Sequence, residues 1–134
     1  MTGSPAAPSL SAYEAIGARP AVDAIVARFY DLMDADPAYA RLRAMHATDL
    51  APMRESLAGF LTAWLGGPTD WFAEHPKTCV MSAHARLPIT EATAGQWIDA
   101  MDRAIHDAGI APDLASAMVA RLAPMAKAMV NMRA

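Results

Sequence analysis

The sequence has one cysteine, Cys79, among 134 residues, so no internal disulfide is possible, and this usage fits a reducing cytoplasm. Excess positive charge is missing as well. Eleven Lys and Arg against 14 Asp and Glu give a net charge of -3, which leaves no basic footprint for nucleic acid. No apolar run approaches the ~20 residues of a membrane-spanning helix. The opening MTGSPAAPS has neither the basic nor the apolar region of a secretory signal. HExxH, CxxC, a phosphate-binding glycine loop and a Ser-His-Asp arrangement are all absent, so zinc, nucleotide and triad-hydrolase chemistry lack support.

Aromatics are scarce at 7%, yet hydrophobic residues make up 54% of the chain. Ala, Leu and Met supply most of that content, and all three form helices readily. The length fits one domain. Residues 1–10 are expected to be a disordered tail and 11–134 a single all-α domain.

Capping and punctuation divide that domain. Ser11 with Glu14 makes a capping box for a short helix that Gly17 can close. Pro20 suits a first helical position. Val22, Ile25, Val26, Phe29 and Met33 then keep helical spacing until Asp36-Pro37. The piece PAYARLRAM leads to His46. Asp49 can cap a long helix with Leu50, Met53, Leu57, Phe60, Leu61 and Trp64 on its inner face, stopped by Gly66-Gly67-Pro68. DWFAEH and a stretch from about Cys79 to Ala85 read as short helical turns. Thr90 caps a helix carrying Trp97, Ile98, Met101, Ala104 and Ile105 inward as far as Gly109. Pro112 opens the last helix, with Leu114, Met118, Leu122, Met125, Met129 and Met132 on one stripe. Pro124 within it is expected to kink the helix.

A Leu or Met stripe is ordinarily core, so function must come from polar residues standing where apolar ones are expected. His106 belongs to a charged helix face, and His75 to a His-Pro turn. His46 lies at a junction beside Met45. His84, in MSAHARLPI, stands among Val80, Met81 and Leu87 just before Pro88. A lone histidine of this kind is ordinarily structural. Tyr30 and Trp97, however, bring hydrogen-bond donors to inner helix faces, where each needs a partner. One histidine, a buried tyrosine and a buried tryptophan in a Met-rich bundle suit haem, whose iron needs only one protein bond.

With RFYDLM (28 to 33), FLTAWLGGP (60 to 68), His75-Pro76, and His84 followed thirteen residues later by Trp97, the sequence resembles the group II truncated haemoglobins from about Tyr13 to Met132. The resemblance implies a globin-like, two-over-two helical sandwich around haem b, its antiparallel pairs being the helices of Tyr30 with Leu57 and of Trp97 with Met125. It implies His84 as the proximal iron ligand and Tyr30 and Trp97 as distal donors. His46 falls at a distal position where this group has Tyr, His or Phe. Met53 takes the place of the distal histidine of many globins, either packing there or ligating the iron, as His46 also could. Phe29, Leu57, Phe60, Leu61, Leu87, Trp97 and Met125 are implied as haem contacts. Ala83 replaces an arginine that often precedes the proximal histidine, leaving Arg86 or Lys77 to meet the propionates. Gly17-Ala18 stands for the family's paired glycine, and Leu87 for its usual phenylalanine.

The function implied is reversible binding of O2, NO or CO, with Tyr30, Trp97 and His46 donating hydrogen bonds to the gas. The same site could serve an enzyme, a nitric oxide dioxygenase or a peroxidase-like catalyst, drawing electrons from a separate reductase, or a gas or redox sensor. Neither a nucleic acid nor a membrane is expected as partner.

Overall fold

Helix starts and stops follow from residues at the caps. The computed structural model describes residues 11–75, 84 and 87–131. The expected tail, Lys77, Cys79, Arg86 and Met132 lie outside them. Helix α1 (Ala12–Ile16) begins at Ser11, whose Oγ accepts the Glu14 N–H at 3.2 Å and also donates to the Glu14 carboxylate at 3.2 Å. Gly17 ends it at φ 116°. Helix α2 (Ala18–Ala35) follows at once, starting two residues ahead of Pro20 because the cap is Gly17.

Ala18 sits at φ 61°, so the chain makes a left-handed corner there although a second glycine is missing. An L-residue with a Cβ pays about 1–2 kcal/mol for that conformation. Ala18→Gly is therefore expected to raise the unfolding free energy by up to about 1 kcal/mol, once glycine's greater freedom in the unfolded chain is offset. Urea denaturation checks this; a loss of stability would mean that the entropy term dominates.

Helix α2 buries Val22, Ile25, Val26, Phe29, Tyr30, Leu32 and Met33. Asp36 caps the next turn, Pro37–Tyr39, by accepting the Ala38 N–H at 3.0 Å. Its other oxygen takes a 2.8 Å bond from Arg103, which also donates to the Tyr39 hydroxyl at 2.9 Å, and Tyr39 donates to Asp99. The Arg103 bond, then the Ala38 N–H, hold the Asp36 carboxyl below the usual carboxylate range. A lowered folded pKa contributes stability above the unfolded value of about 4 and loses it as pH falls through the folded value. Asp36→Asn keeps a cap but not the charge. It should lower the melting temperature at neutral pH, and the gap from the parent should close as the pH drops below about 4. A gap independent of pH would contradict the ion-pair account.

Helix α3 (Ala40–Ala44) leads to the His46 turn, and α4 (Ala51–Trp64) follows. Asp49 does accept the Ala51 N–H at 3.0 Å, although Leu50 occupies the cap position. Helix α5 (Asp70–Glu74) folds back on α4. Its Trp71 ring lies where a Cβ on Gly59 would meet Cγ at 2.3 Å, so glycine is what lets the two helices touch. Helix α6 (Glu91–Asp107) starts in a capping box made by Thr90 and Thr93. Helix α7 (Pro112–Ala128) contains Pro124 within its span.

Helix α2 packs on α4 and on α6, and α6 packs on α7. Val22, Ile25, Phe29, Leu61, Met101, Ile105, Met118 and Leu122 form the shared core. All the described elements are helical, and none of these helices is long and apolar enough to cross a membrane.

Candidate functional site

The expected inner face of α4 divides in two. Leu61 is fully buried, and the smaller Ala58, Gly59 and Thr62 complete the buried strip beside it. Leu57, Phe60 and Trp64 are only half-buried, and Met53 is 39% exposed. A row of large apolar side chains is thus left partly bare by the described residues. Across the fold, Leu87 is 37% exposed just past His84. A row of half-buried apolar side chains of this kind could take an apolar ligand as its cover.

An aromatic cluster closes one end. The Phe29 ring meets Tyr30 edge-on at 5.0 Å and Trp97 at 5.6 Å, and Tyr30 meets His46 at 6.1 Å. Tyr30 and Phe29 come from α2, Trp97 from α6, and His46 from the turn before α4. That turn is held by Arg43, which donates to the carbonyls of Ala47 at 2.9 Å and Thr48 at 3.1 Å. Gln96 ties α6 to α3 by accepting the Leu42 N–H at 3.1 Å.

Each polar group has a definable state. Burial pushes the Tyr30 phenol up to about 12, against a smaller opposing pull from Arg54, whose guanidinium lies 5.8 Å from the ring centroid. The hydroxyl therefore keeps its proton, and its partner is the Met53 carbonyl at a long 3.3 Å. Trp97 is half-buried rather than fully buried, and its indole nitrogen is not one of the buried side-chain groups left without a partner among the described residues. Burial pushes the His46 imidazole below its usual range, aided by the charges of Arg43 and His84 and opposed by its bond to Leu42. His46 Nδ1 lies 2.8 Å from the Leu42 carbonyl. A carbonyl only accepts, so Nδ1 carries the hydrogen, and in the neutral ring Nε2 is an acceptor.

His84 is helical and half-buried, close enough to His46 for its charge to be felt there. His75 stacks on Trp71 at 4.4 Å, and His106 bonds within α6, so both are surface residues. Phe29 and Leu61 have no accessible surface, which places them behind the bare face rather than on it. Met125 is half-buried against the core.

A haem needs a flat apolar face, a nitrogen ligand and a polar gas-side wall. The half-buried row of α4, His84, and the Tyr30–Trp97 pair are the residues that could meet those needs. Arg54 had no mark in the sequence pattern beyond following Met53, and its place over Tyr30 emerges only from the packing of α4 on α2.

The sequence profile of the family described as bacterial-like globin matches residues 11–131. Group 2 truncated hemoglobin YjbI of Bacillus subtilis (strain 168) is 30% identical over 119 residues, 89% of this chain and 87% of the relative. Among solved structures, the group II 2-on-2 hemoglobin from the plant pathogen Agrobacterium tumefaciens superposes with a TM-score of 0.89 at 31% identity, covering 97% of this chain and all of that one (100%). The truncated oxygen-avid haemoglobin from Bacillus subtilis gives 0.82 at 30% identity, covering 91% and 100%. The fold and these likenesses together make this chain a member of the bacterial-like globins, of the group II truncated haemoglobin kind, a haem-binding family with two-over-two helical architecture.

Proposed function

We propose that the chain binds O2 and related diatomic gases reversibly at haem b, with His84 as the proximal ligand and Tyr30 and Trp97 as gas-side donors. The observation that carries this is the meeting of a protonated phenol and a half-buried indole around Phe29, beside a row of half-buried apolar side chains. Haem, when bound, supplies the iron at which the gas is held. Everything else is the work of the chain.

Leu57, Phe60 and Met53 offer apolar surface to the haem, and each ~100 Å² covered contributes about 2.5 kcal/mol. Leu87 would meet the haem from the His84 side. Met53 packs rather than ligates, its flexible side chain filling an uneven gap. Trp97 would donate through its indole N–H. Tyr30 must loosen its 3.3 Å bond to the Met53 carbonyl, or share its position with it, to turn toward a ligand. Neutral His46 accepts rather than donates, so its role is to orient a neighbouring donor, and only its protonated form would address the gas directly.

A relative described as oxygen-avid agrees with a donor-rich site. His46 also favours a second reading, turnover of peroxide or of nitric oxide, because its free nitrogen lone pair can take up a proton. That reading requires a separate electron donor, and a cytoplasmic setting accords with the single cysteine. Absorption spectra of the oxidised, reduced and CO-treated protein test the proposal. Haem bands that shift with CO are expected, and a colourless protein that takes up no hemin would refute it. Consumption of NO or peroxide with a reductant present separates enzyme from binder.

A further inference from the structure

The chain end beyond α7 makes a compact set of hydrogen bonds that neither the core nor the gas-side cluster uses. Asn131 N–H donates to the Ile89 carbonyl at 3.0 Å. Its side-chain oxygen accepts the Ile89 N–H at 3.0 Å, and its side-chain amide donates to the Leu87 carbonyl at 2.8 Å. Leu87 in turn donates its N–H to the His84 carbonyl at 3.0 Å. A continuous path therefore runs from Asn131 through Leu87 to the backbone of His84.

The segment it grips needs such help. Pro88 carries no N–H, and the stretch from Leu87 to Thr90 is not helical, so the helix ladder cannot hold it. An asparagine side chain is a peptide group in miniature, with a donor and an acceptor on one plane. Here it pairs with two backbone groups two residues apart while its own N–H takes a third. Aspartate would retain only the acceptor, and alanine neither.

We propose that Asn131 is a positioning residue for His84, fixing the exit of the segment that presents the proximal imidazole and so coupling the end of α7 to haem retention. This rests on the reading of His84 as the iron ligand. Partners of metal-bound histidines commonly change affinity by 10–100-fold, and Asn131 acts one step further out, through backbone.

The test compares Asn131→Ala and Asn131→Asp with the parent. Transfer of haem to excess apomyoglobin should be about tenfold faster for alanine, equivalent to ~1.4 kcal/mol, and less accelerated for aspartate, which keeps the Ile89 bond. The iron–histidine stretching band of the ferrous, gas-free protein should shift or broaden in both. If Asn131→Ala does not fold, Asn131→Asp carries the test alone. An unchanged band, with or without a lower melting temperature of the haem-free protein, overturns the proposal, since a purely structural residue would leave that band alone. His84→Ala is the control. If it keeps its pigment, the ligand assignment and this proposal fall together; if it loses pigment while both Asn131 variants match the parent, only this proposal falls.

Discussion

His84→Ala is expected to yield a folded helical protein that does not retain haem. The core residues Val22, Ile25, Phe29, Leu61 and Ile105 are fully buried and His84 is not one of the buried core residues, so far-ultraviolet circular dichroism should change little. Haem retention is another matter. With the imidazole gone, only apolar contacts such as those proposed for α4 and Leu87 would remain, and dispersion with area burial does not choose one face or orientation of a flat ligand. Even outer partners of metal-bound histidines are worth about 10–100-fold in affinity, so loss of the ligand itself should cost more than about a hundredfold. Added imidazole should restore part of the pigment by supplying the missing nitrogen. A variant with unaltered pigment and visible bands would show that another residue holds the iron.

The second large effect is expected at the proposed gas-side donors. Tyr30→Phe removes the hydroxyl and leaves the ring packed against Phe29. If the hydroxyl contributes on the order of 1 kcal/mol to the bound gas, O2 should leave roughly fivefold faster. Trp97→Phe should act similarly, and the double variant by about 30-fold if the two are independent. They both touch Phe29, so a double-mutant cycle is the correct comparison. CO, which accepts hydrogen bonds poorly, should be affected less. Equal O2 off-rates in the parent and Tyr30→Phe would remove the phenol from gas retention.

The same substitution has a signature in alkali. The folded Tyr30 phenol is raised from 10.0 to about 12, chiefly by burial. A raised value means that its stabilising share is whole below the unfolded value and is lost as pH rises from about 10 to about 12. The gap is worth at most about 3 kcal/mol. Denaturation between those pH values should therefore weaken the parent more steeply than Tyr30→Phe, with Tyr39, also raised, contributing to both.

Much of this was legible in the sequence because it depends on near neighbours. Thr90 with Thr93, Ser11 with Glu14, and Asp36 with Pro37 act within three residues, and the helices begin and end accordingly. Periodicity was a poorer guide on α4. It predicts one inner face, yet the fold buries Leu61 and leaves Met53 bare, because helical spacing reports that a side chain is apolar and not what will cover it. The Ala18 corner shows the converse. The tertiary fold imposes a left-handed backbone that alanine would not choose.

The sequence by itself determined the all-helical class, most helix starts and the candidate set of His84, Tyr30 and Trp97, since propensity, capping and motif spacing are properties of short stretches of chain. The last helix, however, stops at Ala128, short of the expected Met129. Tertiary structure decided which apolar surface stays open, that neutral His46 keeps its hydrogen on Nδ1, and that Asn131 reaches Ile89 and Leu87 across 42 and 44 residues. Hydrogen bonds and burial at such separations depend on where whole helices come to rest, and no local pattern encodes that.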